Sequence, residues 1–173
     1  MFLAQTLNRA ATINASGTAT IFRDRRHVWG ETADRTAPLA GGLSRLGLAK
    51  GDRAAILALN SDLYFETLFA VPMAGAIIVP INTRLAPPEI AYILQDSGTK
   101  MLFLDDAFAD LPTKLPNLAS ITDFIYVGNR SAPNGMHPYE SLLCASPLPD
   151  GLTMGDDVAG IFIPVEQPAS LKV

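Results

Sequence analysis

Two histidines and one cysteine are the side chains of this sequence with the widest range of chemistry. His27 and His137 could transfer protons, because histidine titrates near neutral pH. Neither has an aspartate, serine or cysteine at the spacing of a catalytic motif, so we expect both to be surface or loop residues. Cys144 could act as a nucleophile, but it stands alone beside Leu142 and Leu143. That setting predicts a small, buried, apolar residue.

Two pairs of neighbouring carboxylates, Asp105-Asp106 and Asp156-Asp157, could ligate a metal ion. Each pair lies at an end of a predicted strand, where solvated turn residues are commoner. Arg84 follows the carboxyl end of another predicted strand and could reach a ligand there, although pairing with a nearby acid explains it equally well. We therefore predict no catalytic, cofactor-binding or metal-binding residue among these candidates.

The Gly41-Gly42 pair could suggest a nucleotide-binding loop. It lies inside a helical pattern and has no strand before it, so it does not match a dinucleotide-binding fingerprint. Close packing of a helix on a sheet explains it better.

The elements that would position these residues alternate between strands and helices. Apolar runs without polar alternation predict strands, and periodic apolar residues predict helices. Such an order predicts an α/β fold, with a mostly parallel sheet and helices on both faces. Strands are predicted at 53–59, 76–81, 100–104, 123–127 and 157–162, and helices at 1–14, 30–46, 62–74 and 87–97, with loops at 105–122 and 128–156 and a single helical turn at 139–143.

The composition narrows the class of protein. The chain has 173 residues, which predicts one domain, with 49% hydrophobic residues, 17% charged residues and a net charge of −4. No basic field is present to bind nucleic acid, and no apolar run is long enough to span a membrane. A single cysteine excludes an intrachain disulfide. We expect a cytoplasmic protein whose apolar excess leaves a surface prone to self-association.

Two long segments resemble the start of the acyl-adenylate-forming (AMP-binding) enzymes, which include the acyl-CoA synthetases. They are LAGGLSRLGLAKGDRAAILALNS at 39–61 and ETLFAVPMAGAIIVPINTRLAPPEIAYILQDSGTKMLF at 66–103. Their order and spacing are similar to the family's, closest to fatty-acyl or aryl-acid CoA ligases. The resemblance implies the first N-terminal subdomain of such an enzyme. It also implies a reaction in which a carboxylic acid, ATP with Mg²⁺ and CoA give an acyl-adenylate and then an acyl-CoA.

After Phe162 the sequence departs from this resemblance. A phosphate loop similar to YTGGTTGxPKG is expected there, but residues 163–173 read IPVEQPASLKV. They contain no glycine and two prolines, and Glu166 would repel phosphate. Codons can be chosen for residues 162–173 such that reading them one base earlier gives YTGGTTGLPKG. We therefore interpret residues 163–173 as the phosphate loop read out of frame.

The sequence thus predicts two parts, a truncated AMP-binding subdomain at 1–162 and an aberrant tail at 163–173. The resulting hypothesis is a fragment of an acyl-CoA synthetase that is inactive alone and holds no cofactor itself. The alternative is a non-catalytic interaction module, or a split-enzyme fragment that pairs with the rest of the synthetase. A free-standing nucleotide-binding protein fits less well, because the phosphate loop is absent.

Overall fold

The structure is a computed structural model that describes residues 3–115, 118–148 and 157–163. Asp156 and residues 164–173, on which two of the predictions fall, lie outside the described residues. The helices are α1 (Leu3–Ile13), α2 (Trp29–Arg45), α3 (Asp62–Met73), α4 (Pro87–Asp96) and α5 (Tyr139–Leu142), with a 3₁₀ turn at Leu111–Thr113. The strands are β1 (Thr18–Phe22), β2 (Arg25–Val28), β3 (Arg53–Leu57), β4 (Ile77–Pro80), β5 (Thr99–Leu104), β6 (Asp123–Tyr126) and β7 (His137–Pro138).

Five strands form one parallel sheet in the order β4-β3-β5-β6-β7. Strand β3 lies inside the sheet and pairs with β4 on one side and with β5 on the other. The remaining two strands form a separate antiparallel hairpin, β1–β2. The prediction of an α/β fold with a mostly parallel sheet is confirmed.

Helices cover both faces of the sheet, which explains why its strands show no polar alternation. Side chains of Ala54 and Ile56 pack on one face with α2, α3 and α5. Those of Ala55 and Leu57 pack on the other face with α4 and the 3₁₀ turn. Successive residues of β3 therefore enter two separate cores. Helix α1 packs outside this arrangement against α2 and α3. No helix among the described residues is long and apolar enough to cross a membrane.

The end of α2 was predicted correctly from its glycine. Gly47 has φ +95°, and Leu48 N–H donates to the Leu43 carbonyl at 3.1 Å. This is the bond of a left-handed C-terminal cap, in which the residue after the glycine folds back on the last turn. Leu48 is buried as a result. Pro72, which was expected to kink or end its helix, lies one residue before the end of α3.

Residues 157–162 do not form the predicted fifth strand. Only Gly160 pairs with the sheet, in a single parallel bridge to Ile78 of β4. Ile78 N–H donates to the Ala159 carbonyl at 3.0 Å, and Ile161 N–H donates to the Ile78 carbonyl at 2.9 Å. The fifth strand of the sheet is instead β7, a two-residue strand that pairs with β6. The apolar run indicated burial, but among the described residues only one lateral side of this segment is paired.

The β1–β2 hairpin was not predicted. Its turn contains Arg23-Asp24, and Arg23 adopts φ 55°. Two-residue hairpin turns usually carry Asn-Gly or Asp-Gly, because these residues tolerate positive φ. The sequence therefore lacked the usual hairpin signal, although Phe22 and Arg25 at the turn are paired in register.

The Gly41-Gly42 pair does not pack on the sheet, which corrects our expectation. A Cβ atom on Gly41 would lie 2.0 Å from the Ser146 carbonyl oxygen, and one on Gly42 would lie 2.5 Å from that of Leu142. The two glycines therefore allow the backbone of α5 and the residues after it to approach α2. The requirement is steric and involves no nucleotide.

We expect Gly42→Ala to destabilise the protein by about 1–3 kcal/mol, the usual cost of overpacking. Gly30→Ala is the matched control in the same helix, because its Cβ would lie 3.4 Å from the nearest atom, the Ala15 carbonyl oxygen. The control should be neutral or stabilising by roughly 0.5–1 kcal/mol, because alanine favours a helix over glycine. Urea unfolding measures both variants. Equal stabilities would contradict the close approach at Gly42.

Candidate functional site

The parallel strands all end on one side of the sheet, which we call the carboxyl edge. It comprises residues 58–62, 81–85, 105–107 and 127–130, which follow β3, β4, β5 and β6. The chain passes from β3 outward to β4 and then returns past β3 to β5, so the strand order reverses between β3 and β5. Parallel sheets bind ligands just beyond such a reversal. The carboxyl edge is therefore the first candidate site.

One arginine ties the β1–β2 hairpin to this edge. Arg25 Nε and Nη2 donate to the two carboxylate oxygens of Asp62, each at 2.7 Å. Its Nη1 donates to Asn129 Oδ1 at 2.9 Å. The Asp62 side chain is 1% exposed. Burial opposes its ionisation, but the hydrogen bonds and charge of Arg25 outweigh burial and hold the pKa of Asp62 below its usual range.

A second arginine joins three helices. Arg35 of α2 donates from Nε to Glu66 Oε1 of α3 at 2.7 Å, and from Nη1 and Nη2 to the Glu140 carboxylate of α5 at 3.2 and 2.6 Å. The Tyr139 hydroxyl donates to the other Glu66 oxygen at 2.7 Å. The Glu66 side chain is 1% exposed. Burial raises the pKa of Glu66, and its two donors offset only part of that effect.

These two networks bind the elements together and leave few groups free for chemistry. Arg25 and Arg35 already bond to carboxylates, and a small cleft of about 330 Å³ lies beside them. A second cleft, of about 220 Å³, lies at the carboxyl edge and is lined by Asp105, Asp106 and Asn129 among others. Within residues 3–115, 118–148 and 157–163, no three side chains of His, Cys, Asp or Glu lie close enough to hold a metal ion. What the two networks do directly is hold the hairpin at the carboxyl edge and hold α5 against α2 and α3. The predicted lack of catalytic and binding residues stays a prediction.

Both candidate histidines lie in strands and face carboxylates. His27, in β2, places Nε2 3.3 Å from Asp62 Oδ2 and Nδ1 3.7 Å from Glu31. His137, in β7, places Nε2 2.9 Å from Asp123 Oδ1. We expected surface or loop residues. Neither histidine lies in a loop, which was missed because the short strands β2 and β7 carried no recognisable pattern, but both side chains are partly exposed, at 21% for His27 and 41% for His137. The fold supplies the aspartates from segments distant in sequence.

The candidate aspartates Asp105 and Asp106 accept hydrogen bonds that hold loops in place. Asp105 accepts Leu59 N–H at 2.7 Å and Ala107 N–H at 2.9 Å. Asp106 accepts Asn129 N–H at 2.9 Å and the Tyr126 hydroxyl. These bonds hold the pKa of Asp106 below its usual range. The pair thus joins the segments that follow β3, β5 and β6.

Three further candidates have clear positions. Asp157 forms an ion pair with Lys50 at 2.8 Å. Arg84 is exposed, and among the described residues its side chain has no acidic partner, so the alternative of a local ion pair does not hold there. Cys144 is exposed, which contradicts the predicted buried residue. Leu142 takes the buried position at the end of α5, and Cys144 follows after the helix has ended.

A second candidate site is an apolar cleft beside α4, with a volume of about 850 Å³. Leu85, Tyr92 and Ile93 line one wall, and Ile161 and Ile163 line the other. A cleft of this size lies in the range of small-molecule sites. The segment that carries Ile161 and Ile163 pairs with the sheet through the bridge between Gly160 and Ile78, and the Asp157–Lys50 ion pair lies just before that bridge.

The residues that sequence reasoning missed are Arg25, Arg35, Asp62 and Glu66. A signal existed for Glu66, because it lies in a helix that is apolar nearly all round, and a buried charge requires a partner. The partners could not be identified, because Arg35 and Tyr139 lie 31 and 73 positions away in the chain.

Comparison with known proteins decides the family. The model of the AMP-binding enzyme family matches residues 7–161. The chain belongs to the AMP-binding enzyme family. The match extends from α1 to the bridge at Gly160, so it includes the hairpin, the parallel sheet and both arginine networks.

Relatives of this family member are acid–thiol ligases. It is 40% identical over 123 residues to the peroxisomal trans-cinnamate:CoA ligase of Petunia hybrida, covering 71% of this chain and 22% of that protein. It is 36% identical over 118 residues to a long-chain-fatty-acid–CoA ligase of Thermus thermophilus, covering 68% of this chain and 22% of that protein. The chain thus spans about a fifth of the length of these relatives.

A solved structure confirms the fold of this AMP-binding family member. The N-terminal domain of FACL13 from Mycobacterium tuberculosis superposes with a TM-score of 0.80 at 30% identity. The alignment covers 93% of this chain but only 41% of that domain. The fold is therefore that of the first part of an acyl-CoA synthetase N-terminal domain.

Proposed function

We propose that this chain is the first subdomain of an ATP-dependent acyl-CoA synthetase. Such an enzyme joins a carboxylic acid to AMP, releasing pyrophosphate, and then transfers the acyl group to the CoA thiol. The observation that carries the proposal is the family match over residues 7–161, together with relatives that are named as CoA ligases of aryl and fatty acids. The substrate of the whole enzyme would be a small carboxylic acid.

We also propose that the chain alone is inactive. The described residues do not fit Mg²⁺ and ATP, because no group of three potential metal ligands lies among them and Arg25 and Arg35 already bond to acids. Phosphate binding needs backbone N–H groups and a cation. Residues 163–173 have no glycine, and the acidic Glu166 lies in their middle. ATP, Mg²⁺ and CoA would be bound by other parts of the enzyme.

We further propose that residues 163–173 are the phosphate loop of this enzyme read out of frame. The codon argument supports it, because one shift restores the whole run YTGGTTGLPKG directly after Phe162. If Phe162 is encoded by TTT and the tyrosine that opens the loop by TAT, the two codons together contain a run of four T bases. Loss of one T from that run produces the present sequence of residues 163–173.

Sequencing the gene across the codon of Phe162 tests this proposal. Insertion of one base there should open a long reading frame that encodes the rest of an AMP-binding enzyme. Confirmation of the present bases, with a shifted frame that closes within a few codons, would contradict it. The tail would then need an explanation as a sequence in its own right.

The second candidate function is a non-catalytic or split-enzyme fragment that pairs with the rest of the synthetase. The observation in its favour is the apolar surface of residues 157–163, where Val158 is 57% and Phe162 71% exposed. The cytoplasmic location stays a prediction, and the Petunia relative is named as peroxisomal.

A further inference from the structure

We propose that two copies of this chain pair through residues 157–163 and so join the parallel sheet of one copy to that of the other. We call residues 157–163 the outer segment, because they lie beyond β4 at the edge of the sheet. The two copies would be related by a two-fold axis at Gly160. This pairing does not depend on the proposed function, since it concerns the 173-residue chain by itself.

The backbone of the outer segment has a free side. Ile78 of β4 donates its N–H to the Ala159 carbonyl, and its own carbonyl accepts the N–H of Ile161. In a parallel pair this pattern directs the N–H and C=O of Gly160, the residue between them, away from β4. Among the described residues, neither group of Gly160 has a hydrogen-bond partner. Such groups at the edge of a sheet can pair with another strand.

The side chains of Val158 and Phe162 lie on one face of the outer segment. Residues two apart in an extended segment share a face, and a Cβ atom on Gly160 would lie 2.9 Å from the Phe162 ring. Val158 is 57% and Phe162 71% exposed. Ile161 and Ile163 belong to the other face and line the cleft beside α4. The two exposed side chains are therefore separate from that cleft, which takes no part in the pairing.

The spacing of these residues makes the outer segment complementary to itself. In an antiparallel pair centred on Gly160, this residue exchanges two hydrogen bonds with Gly160 of the second copy. Val158 then lies opposite Phe162 of the second copy, and Phe162 lies opposite Val158 of the second copy. Cross-strand pairs of an aromatic and a β-branched residue stabilise antiparallel sheets. Each contact occurs twice, as a closed two-fold dimer requires.

A second copy is the partner that fits this edge. The 173 residues correspond to only 41% of the FACL13 N-terminal domain, so in a solution of this chain alone the partner available to the edge is another copy. Each outer segment is used up by one partner, so the assembly closes at two copies. The segment supplies seven residues, fewer than the roughly 20–30 per side of a standard interface. We therefore expect a weak dimer.

Sedimentation equilibrium of the purified chain tests this pairing. Between about 1 and 100 µM, the range of weak association, the mass should rise from one chain towards two. Val158→Lys and Phe162→Glu should each weaken the dimer by about tenfold or more, because each places a charge against an apolar side chain. Ile21→Lys is the matched control, since Ile21 is 70% exposed on the β1–β2 hairpin, and it should leave the dimer unchanged within about twofold.

A mixture of the two charged variants tests the two-fold arrangement. When the Val158→Lys chain binds the Phe162→Glu chain, the new lysine lies opposite the new glutamate. The unchanged Phe162 of the first chain then lies opposite the unchanged Val158 of the second. The mixture should therefore form a heterodimer that is about tenfold or more tighter than the dimer of either variant alone.

Three results would overturn the pairing. They are a wild-type chain that stays single at about 100 µM or associates without limit, charged variants that associate as well as the wild type, and a mixture that associates no more tightly than its components. Thermal unfolding by circular dichroism verifies that each variant folds. The proposed function is tested separately by sequencing and activity of the repaired gene, so the two proposals can fail independently.

Discussion

Incubated with ATP, Mg²⁺ and a panel of fatty and aryl acids, the 173-residue chain will release no pyrophosphate above the blank. The reason is the missing phosphate loop. Removing one donor that stabilises developing charge already costs about a hundredfold to a thousandfold in rate, and here the backbone donors and the lysine of the loop are all missing. A coupled enzymatic assay for pyrophosphate measures the effect.

The pyrophosphate assay can also be run on the repaired enzyme, from which activity is expected. A gene with one base inserted at the codon of Phe162 should yield an enzyme that releases pyrophosphate and forms a thioester in the presence of an acid, ATP and CoA. Replacing the lysine of the restored loop by alanine is the control, and it should lower the rate by about a hundredfold. Acid-dependent release of pyrophosphate by the unrepaired chain would contradict the proposal that it is inactive.

Arg35→Ala should destabilise the fold by about 3–5 kcal/mol, because it leaves the charge of Glu66 buried without its cation. That is a large part of the stability of a typical domain, about 5–15 kcal/mol. The matched control is Lys114→Ala, since the Lys114–Asp110 pair is exposed, with side chains 63% and 87% accessible. The control should change stability by less than about 1 kcal/mol. Urea unfolding of both variants measures the difference.

The pH dependence of the Arg35→Ala variant separates lost charge from lost packing. Burial already raises the pKa of Glu66 above its usual 4.5, and removal of Arg35 raises it further. The folded state then holds a proton that the unfolded state releases, so stability falls as pH rises above the usual value. The deficit against the wild type should therefore shrink as pH falls towards 4.5. A deficit independent of pH would indicate that packing alone was lost.

The buried strands were predictable because their sequence carries the consequence of burial on both faces. The segments at 53–59, 76–81 and 123–127 each contain an observed strand, and the segment at 100–104 covers all of β5 except its first residue, Thr99. The start of helix α4 was equally predictable from the sequence, because Pro87 and Pro88 suit the first positions of a helix. These elements depend on local patterns, which one sequence shows directly.

The candidate site was harder to predict because it depends on contacts between distant segments. Arg25 bonds to Asp62, which is 37 positions away in the chain, and to Asn129, which is 104 positions away. No rule of sequence spacing predicts such pairs. The hairpin that carries Arg25 has an unusual turn, so its existence was missed as well. Cys144 was misplaced for a different reason. The predicted turn at 139–143 agrees with α5, but the burial of Leu142 does not continue to Cys144, which follows the end of the helix.

The bridge between Ile78 and Gly160 also sets the order in which the protein can be completed during synthesis. Strand β4 is made about 80 residues before the segment that pairs with its outer side. At roughly 5–20 residues per second, a ribosome needs about 4–16 seconds to make that distance. During this interval the apolar strand has an open side while the chain is still being extended. Until Gly160 has been made, the outer side of β4 is therefore open to chaperones and to misassembly with neighbouring chains.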